Sequence, residues 1–346
     1  MTQTSSLLRS ALESLVDGRA LSEADSYDLL VALTSSEVAP AMAGALLAAL
    51  RAKGVTADEL RGFARGMRAL ARRPELPEVG PTVDIVGTGG DSSHSFNLST
   101  GTALLAVAAG ARVAKHGNRS VSSRSGSADV LEQLGLVLPL DERDAGACLA
   151  ATGFTFLFAP HYHPAMKAIA PIRAALGIRT VFNMLGPLTN PSSPPFHVIG
   201  AYSHDAARLM ADTLAGLPLE RAFVVHGEPG WDEPTPVGPF VLYDVRGGGW
   251  TQSTRTAADY GLPPCSAEDL RGGDAAHNAT ALRAVLEGAD IGAHRDALLM
   301  GASLALEVVG LVEGPHAGVA RAQAAIDSGA AAALLASLAA FSRRPR

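Results

Sequence analysis

Residues 82–91 read Thr82-Val83-Asp84-Ile85-Val86-Gly87-Thr88-Gly89-Gly90-Asp91, a short apolar run that ends in a glycine turn. A run of this length closed by glycine reads as a buried strand. The glycines free backbone N–H groups to turn toward an anion, because they accept φ values that side chains forbid. The turn is a candidate phosphate cradle, and a tight turn with no ligand is the other reading. It is not a dinucleotide fingerprint, since Ser92 stands where that pattern needs its last glycine, and it is not a Walker loop.

Downstream, Asn97-Leu98-Ser99-Thr100 reads as the start of a helix running to Gly110. Hydroxyls there either cap the helix or reach phosphate oxygens or a hard cation at its positive dipole end. A second strand over Ala111–Ala114 leads into Lys115-His116-Gly117-Asn118-Arg119, followed by Ser120, Ser122, Ser123 and Ser127. Further apolar runs over Phe154–Phe158, His197–Tyr202 and Ala222–Val225 alternate with helical stretches. That alternation predicts an α/β fold with crossover connections and a mostly parallel sheet, with ligands where strand ends meet loops. From Ala275 onward the chain reads mainly as helix.

Upstream, Leu7, Leu8, Ala11, Leu12 and Leu15 recur at helical spacing. Ser22 with Asp25 and Thr56 with Glu59 give the hydroxyl-x-x-acid pattern of helix starts, and Gly54 fits a stop. No strand is expected through Arg72. Pro74, Pro77, Gly80 and Pro81 read as a linker, so the expected division is a small all-helical domain over 1–75 and a large α/β domain over 76–346.

The chain has 346 residues, 47% hydrophobic and 18% charged, which is a globular composition. Its apolar stretches are broken before they could span a bilayer and no secretory signal stands out, so no membrane partner and a cytoplasmic setting are expected. A net charge of −6 opposes binding to nucleic-acid phosphates, and 5% aromatics leaves few stacking platforms for single strands. One local exception, Arg112, Lys115, Arg119 and Arg124 without an intervening acid, reads as a small-anion site or a solvated loop. Cys148 and Cys265 lie far apart, without histidines at zinc-ligand spacing.

Trp231-Asp232-Glu233-Pro234 follows the strand at Ala222–Val225. Adjacent carboxylates in a proline-rich loop suit magnesium, a hard cation that shares its waters with phosphates; a solvated acidic turn is the alternative. His161 and His163 lack a third ligand and read as packing or substrate-contact residues. No Ser-His-Asp or Cys-His order supports a covalent nucleophile.

Several motifs together resemble the anthranilate phosphoribosyltransferase family: Asp84–Asp91, Phe96–Thr100, Lys115–Ser123 (KHGNRSVSS), Gly126–Glu132, His163–Lys167, Pro171–Gly177, Arg179–Pro191, Asp232-Glu233 and Ala325–Gly329. They run in order from the first helices to the last. The resemblance implies a homodimer whose contact lies on the helical domain, with helices near 164–190 packing on it, and an active site between the two domains. It implies transfer of the phosphoribosyl group of 5-phosphoribosyl 1-pyrophosphate to anthranilate with two Mg2+ per site, in tryptophan synthesis. The phosphoribosyl donor would be held by Gly87, Gly90, Asp91, Ser95, Asn97, Leu98, Ser99, Thr100, by Lys115 through Ser123 (Lys115, His116, Gly117, Asn118, Arg119, Ser120, Val121, Ser122, Ser123), and by Ser127. Ser99 would ligand one magnesium and Asp232 with Glu233 the second. Gly87, Asn118 and Arg173 would face anthranilate, with His116, His163 and Pro187 along its access path. Lys115, Asn118 and Arg173 are the expected catalytic residues.

Three departures from the family pattern stand out: Ser92-Ser93 in the glycine loop, Pro234-Thr235-Pro236-Val237-Gly238-Pro239-Phe240 after the acidic pair, and Met300 for an expected Asn. A pyrimidine nucleoside phosphorylase shares the fold and a Lys-His-Gly segment, and a nucleic-acid-binding relative without activity is a second alternative. The run Lys115–Asn118 with Asp232-Glu233 favours the diphosphate donor over the first, and the net charge opposes the second.

Overall fold

A computed structural model describes residues 3–35, 38–91, 93–120 and 124–344. The chain opens with four helices, α1 (Gln3–Val16), α2 (Glu23–Leu33), α3 (Pro40–Lys53) and α4 (Ala57–Ala69). Their ends follow the local chemistry expected. The Ser22 hydroxyl accepts the Asp25 N–H, and Thr56 and Glu59 form a reciprocal capping box. Gly54 closes α3 at φ +89°, in the left-handed region where a side chain is strained.

Strands and helices then alternate: β1 (Val83–Gly87), α5 (Leu98–Ala108), β2 (Val113–Gly117), α6 (Ser127–Gln133), α7 (Glu142–Thr152), β3 (Phe154–Phe158), α8 (Ala159–Tyr162), α9 (Met166–Leu176), α10 (Phe182–Leu185), β4 (Phe196–Gly200), α11 (His204–Ala215) and β5 (Arg221–Gly227). A hairpin of β6 (Phe240–Arg246) and β7 (Gly249–Arg255) follows, and helices α12 (Ala275–Leu286), α13 (Ala293–Val308), α14 (Pro315–Asp327) and α15 (Ala330–Ser342) end the chain. The sheet has seven strands in the order β3-β2-β1-β4-β5-β6-β7. The first five strands pair in parallel and the last two antiparallel.

Side-chain alternation divides the core into two layers. Phe223 and Val225 of β5 join Val83, Phe154 and Val198 under α5 and α12–α15. Ala222 and Val224 face the other way, into a cluster with Leu29, Leu46 and Phe63 of the N-terminal helices and Ile169, Phe182 and Leu188 of the 166–188 segment. Among the described residues no single helix is long and apolar enough to cross a membrane.

Strand order reverses between β1, which leads to β2 on one side, and β4, which leads to β5 on the other. In open α/β sheets the loops leaving such a switch point diverge and leave a crevice at the carboxyl ends of the strands. The glycine loop leaves β1 at that point, and the Asp232-Glu233 turn follows β5 beside it.

Candidate active site

The acidic turn lies against the carboxyl ends of the central strands because glycines there leave it room. A Cβ on Gly200, at the end of β4, would fall 1.5 Å from the Asp232 carbonyl oxygen, and one on Gly87 would fall 2.3 Å from Asp232 Oδ2. Asp232 Oδ2 accepts the Gly89 N–H at 2.5 Å, and the Asp232 N–H donates to Asp91 Oδ2 at 3.3 Å. Thr88 ties the loop to β4: its N–H donates to the Gly200 carbonyl, and its hydroxyl accepts the Tyr202 N–H at 3.1 Å. The N–H groups of Gly90 and Asp91 have no partner among the described residues, as an anion cradle requires. Ser92 lies outside the described residues.

Asp91, Asp232 and Glu233 crowd negative charge into one place. Burial, then the Asp91 charge, pushes the Asp232 carboxyl up to about 7, and burial with the neighbouring Asp232 raises Glu233 well above the usual carboxylate range. The Ser99 backbone N–H, in the first turn of α5, favours the Glu233 carboxylate. An all-oxygen donor set whose carboxylates resist ionisation together fits a hard divalent cation. No group of three or more His, Cys, Asp or Glu among the described residues is arranged as a metal cage. The protein therefore offers a partial shell, of the kind magnesium completes with water and substrate phosphates.

Lys115 and His116 lie within β2, which runs three residues beyond the expected strand end to Gly117, and both are buried. The backbone register between β1 and β2 is set at Val83 with Val113, and beyond it side chains take over the ladder. Asp84 Oδ1 accepts the His116 N–H at 3.1 Å, Asn190 Nδ2 donates to the Ala114 carbonyl at 2.7 Å, and Lys115 Nζ donates to the Ile85 carbonyl. Lys115 Nζ also donates to Ser99 Oγ at 3.2 Å, aiming the ammonium at the start of α5. Burial lowers the Lys115 pKa, and the charges of Asp84, Glu233 and Asp232 counter it.

The His116 and His163 rings meet edge to face at 5.1 Å, and His116 Nδ1 contacts the Gly186 carbonyl at 3.2 Å, beside the buried Pro187. Burial holds both histidines neutral, with pKa values near 3 and 4. Arg173, in the last turn of α9, is half-buried, has no carboxylate partner among the described residues and lies over the Phe182 ring at 5.3 Å.

Other expected residues sit close by in different states. Asn97 is bound through Asn278 Nδ2 at 2.8 Å, Leu98 and Thr100 are buried in the first turn of α5, and the Ser95 N–H donates to Ser93 Oγ. Ser127 opens α6 beside Gly117. Asn118 is exposed and accepts the Arg119 N–H. The Arg119 guanidinium is held by Asp129 and Glu132 of α6, and the Ser120 N–H donates to Asp129. Val121, Ser122 and Ser123 lie outside the described residues. The prolines after Glu233 are mostly packed inside, with Pro234, Thr235 and Pro236 buried, and Met300 fills the core under α5.

Nothing in the sequence marks Asp84, Asn190 or Arg179 for a role at the site. Arg179 donates to the Gly90 carbonyl and stacks on the Tyr202 ring at 4.1 Å.

A helical bundle joined to an α/β sheet, with a glycine loop facing an acidic turn at the switch point, is the architecture of a glycosyl transferase family. The model described as the helical bundle domain of the glycosyl transferase family matches residues 9–71, and its a/b domain matches residues 79–332. An anthranilate phosphoribosyltransferase of Rubrobacter xylanophilus is 43% identical over 338 residues, 98% of each chain. The structure of the Thermus thermophilus enzyme of that name superposes with a TM-score of 0.90 at 42% identity, covering 96% of this chain and 99% of that one. The Saccharomyces cerevisiae enzyme, 27% identical with a TM-score of 0.89 over 97% of this chain and 98% of its own, was solved in complex with PRPP and Mg, and another of its structures holds 4-fluoroanthranilate. The chain belongs to the anthranilate phosphoribosyltransferase family. These relatives favour that family over the phosphorylase and nucleic-acid alternatives.

Proposed function

We propose that the chain transfers the phosphoribosyl group of 5-phosphoribosyl 1-pyrophosphate to the amine of anthranilate, releasing pyrophosphate and forming N-(5-phosphoribosyl)anthranilate, the second step from chorismate to tryptophan. The observation that carries this reading is the junction of glycine loop and acidic turn through Gly89 and Asp232, with the Lys115 ammonium beside it at Ser99. A leaving group with several negative charges needs that kind of grip.

The free N–H groups of Gly90 and Asp91 and the Lys115 ammonium bind the diphosphate. Asn97, Thr100 and Ser127 line the same strand ends and receive the rest of the donor. Ser99 holds one magnesium ion, and Asp232 with Glu233 holds a second. When bound, these ions supply positive charge that offsets what builds on the departing pyrophosphate. Arg173 pairs with the anthranilate carboxylate, which would give its guanidinium the carboxylate partner it lacks among the described residues, and so orients the amine toward C1. Asn118 assists from the loop after β2, while His116, His163 and Pro187 form an uncharged path for the aromatic ring. The attacking aniline is neutral at pH 7 and its N–H becomes acidic only as the C–N bond forms, so no strong general base is needed.

Residues 1–75 act as a helical domain that carries the homodimer contact, with helices near 164–190 packing on it. A cytoplasmic setting fits substrates whose charge keeps them from crossing membranes. The direct test follows anthranilate fluorescence after adding the phosphoribosyl donor, with and without magnesium. The signal is expected to fall only with both present; no fall, or phosphorolysis of uridine or thymidine instead, contradicts the proposal.

A further inference from the structure

One side chain joins the segment that carries Arg173 to the loop that cradles the donor. Gly177 ends α9 in the left-handed conformation at φ +62°, its N–H donating to the Arg173 carbonyl at 3.2 Å, and the chain turns back. Asn183 Oδ1 accepts the Thr180 N–H at 2.9 Å and the Asn183 N–H returns to the Thr180 carbonyl, which fixes the turn on one side of Arg179. From this turn Arg179 reaches the glycine loop. Its guanidinium donates to the Gly90 carbonyl and lies over the ring of Tyr202, itself tied to Thr88 of the same loop. Arg179 has no carboxylate partner among the described residues, so this contact is what its charge is given to.

A trans peptide points its C=O and N–H in opposite directions. Holding the Gly90 carbonyl on Arg179 therefore aims the Asp91 N–H the other way, and that N–H has no protein partner among the described residues. Gly89 and Gly90 both have positive φ, +70° and +73°, so no side chain of their own restricts this peptide, and within the loop only the Asp91 side chain, which accepts the Ser93 N–H at 3.1 Å, restrains its far end. We propose that Arg179 is a positioning residue: it sets the orientation of the Gly90–Asp91 peptide for the diphosphate and holds the Arg173 segment in register with it. The inference rests on the phosphoribosyl-transfer reading above.

The test compares steady-state kinetics, donor binding by calorimetry with magnesium, and thermal stability for the parent chain, Arg179→Met, Arg179→Lys and Tyr202→Leu. A lost charge-assisted hydrogen bond predicts a donor KM about tenfold higher for Arg179→Met, equivalent to roughly 1.4 kcal/mol. The donor Kd is expected to rise in parallel, with kcat reduced and Tm little changed. Lysine, which can still reach the carbonyl, recovers most of the donor affinity. Tyr202→Leu removes the platform, moves the donor KM in the same direction by a smaller factor, and carries the test if Arg179→Met does not fold. Donor KM and Kd within twofold of the parent in the folded variants overturn the assignment, as does an effect confined to anthranilate. A parent chain that does not consume anthranilate with donor and magnesium overturns the functional reading itself, whereas an active parent with unaffected variants overturns only the role of Arg179.

Discussion

Asp84 Oδ1 accepts the backbone N–H of His116 at 3.1 Å, so a fully buried carboxylate bridges two parallel strands where their backbone ladder has ended. A buried N–H left without a partner costs about 1–3 kcal/mol. Asp84→Leu is expected to lose at least that much stability in urea unfolding. Asp84→Asn, which keeps an acceptor, loses less but removes the negative charge that counters the desolvation of Lys115. Its Lys115 then deprotonates more readily, and the alkaline limb of the kcat profile moves to lower pH. An alkaline limb at the parent position would show that Asp84 does not support the charge on Lys115.

Arg173 lies over Phe182 with no acid to satisfy it among the described residues, as a group reserved for a ligand carboxylate would. Arg173→Ala is expected to raise the KM for anthranilate by about tenfold or more, the scale of a charge-assisted pair, and to leave the donor KM within a small factor. Equal rises in both constants contradict the clamp.

Gly200 is where the β4 end meets the acidic turn. A methyl there cannot coexist with the Asp232 carbonyl 1.5 Å away, so Gly200→Ala must push the turn outward. Overpacking of this kind costs roughly 1–3 kcal/mol. The larger consequence is expected in function: magnesium-dependent donor binding by calorimetry should be lost while the circular dichroism spectrum stays that of the parent. Donor affinity retained in Gly200→Ala would separate the turn from the diphosphate.

His197, buried in β4, is held neutral with a pKa near 3, first by burial and then by the neighbouring Arg68 charge. The unfolded chain takes up the proton near pH 6.5. The folded value is depressed, so the stability this residue contributes is complete above pH 6.5 and is lost as the pH falls toward 3. Below pH 6.5 the slope from one such group is roughly 1.4 kcal/mol per pH unit. His197→Gln should flatten the acid side of the stability profile by that amount between pH 6 and 4. An unchanged slope means the imidazole is protonated in the folded chain.

Residues 83–86, 113–114 and 154–158 are legible as strands because buried parallel strands are continuous apolar runs bounded by turn residues. The caps at Ser22 and Thr56 are equally local. The β6–β7 hairpin was not foreseen, because β7 reads Thr251-Gln252-Ser253-Thr254-Arg255 and is mostly exposed. An edge strand with polar faces leaves no apolar run, although Gly247-Gly248 marks its turn. The glycine loop and acidic turn were readable as types of chemistry, but their contact through Gly89 and Asp232 joins residues far apart in the chain. Asn190 serves a backbone carbonyl of a distant strand and Arg179 one of the distant glycine loop, demands the tertiary structure creates and no spacing rule announces. Arg119 shows the same limit from the other side: a basic residue in a basic run is paired by acids that arrive with α6.

The central claim is that the acidic turn and the glycine loop grip one diphosphate together. Diffraction from crystals soaked with the phosphoribosyl donor and Mn2+, collected for anomalous signal, measures this directly. The account predicts a manganese peak at coordination distance from Asp232 or Glu233 and from the donor's diphosphate, whose oxygens lie within hydrogen-bond reach of the Gly90 or Asp91 N–H. A diphosphate seated elsewhere, with no metal at the Asp232-Glu233 turn, contradicts it.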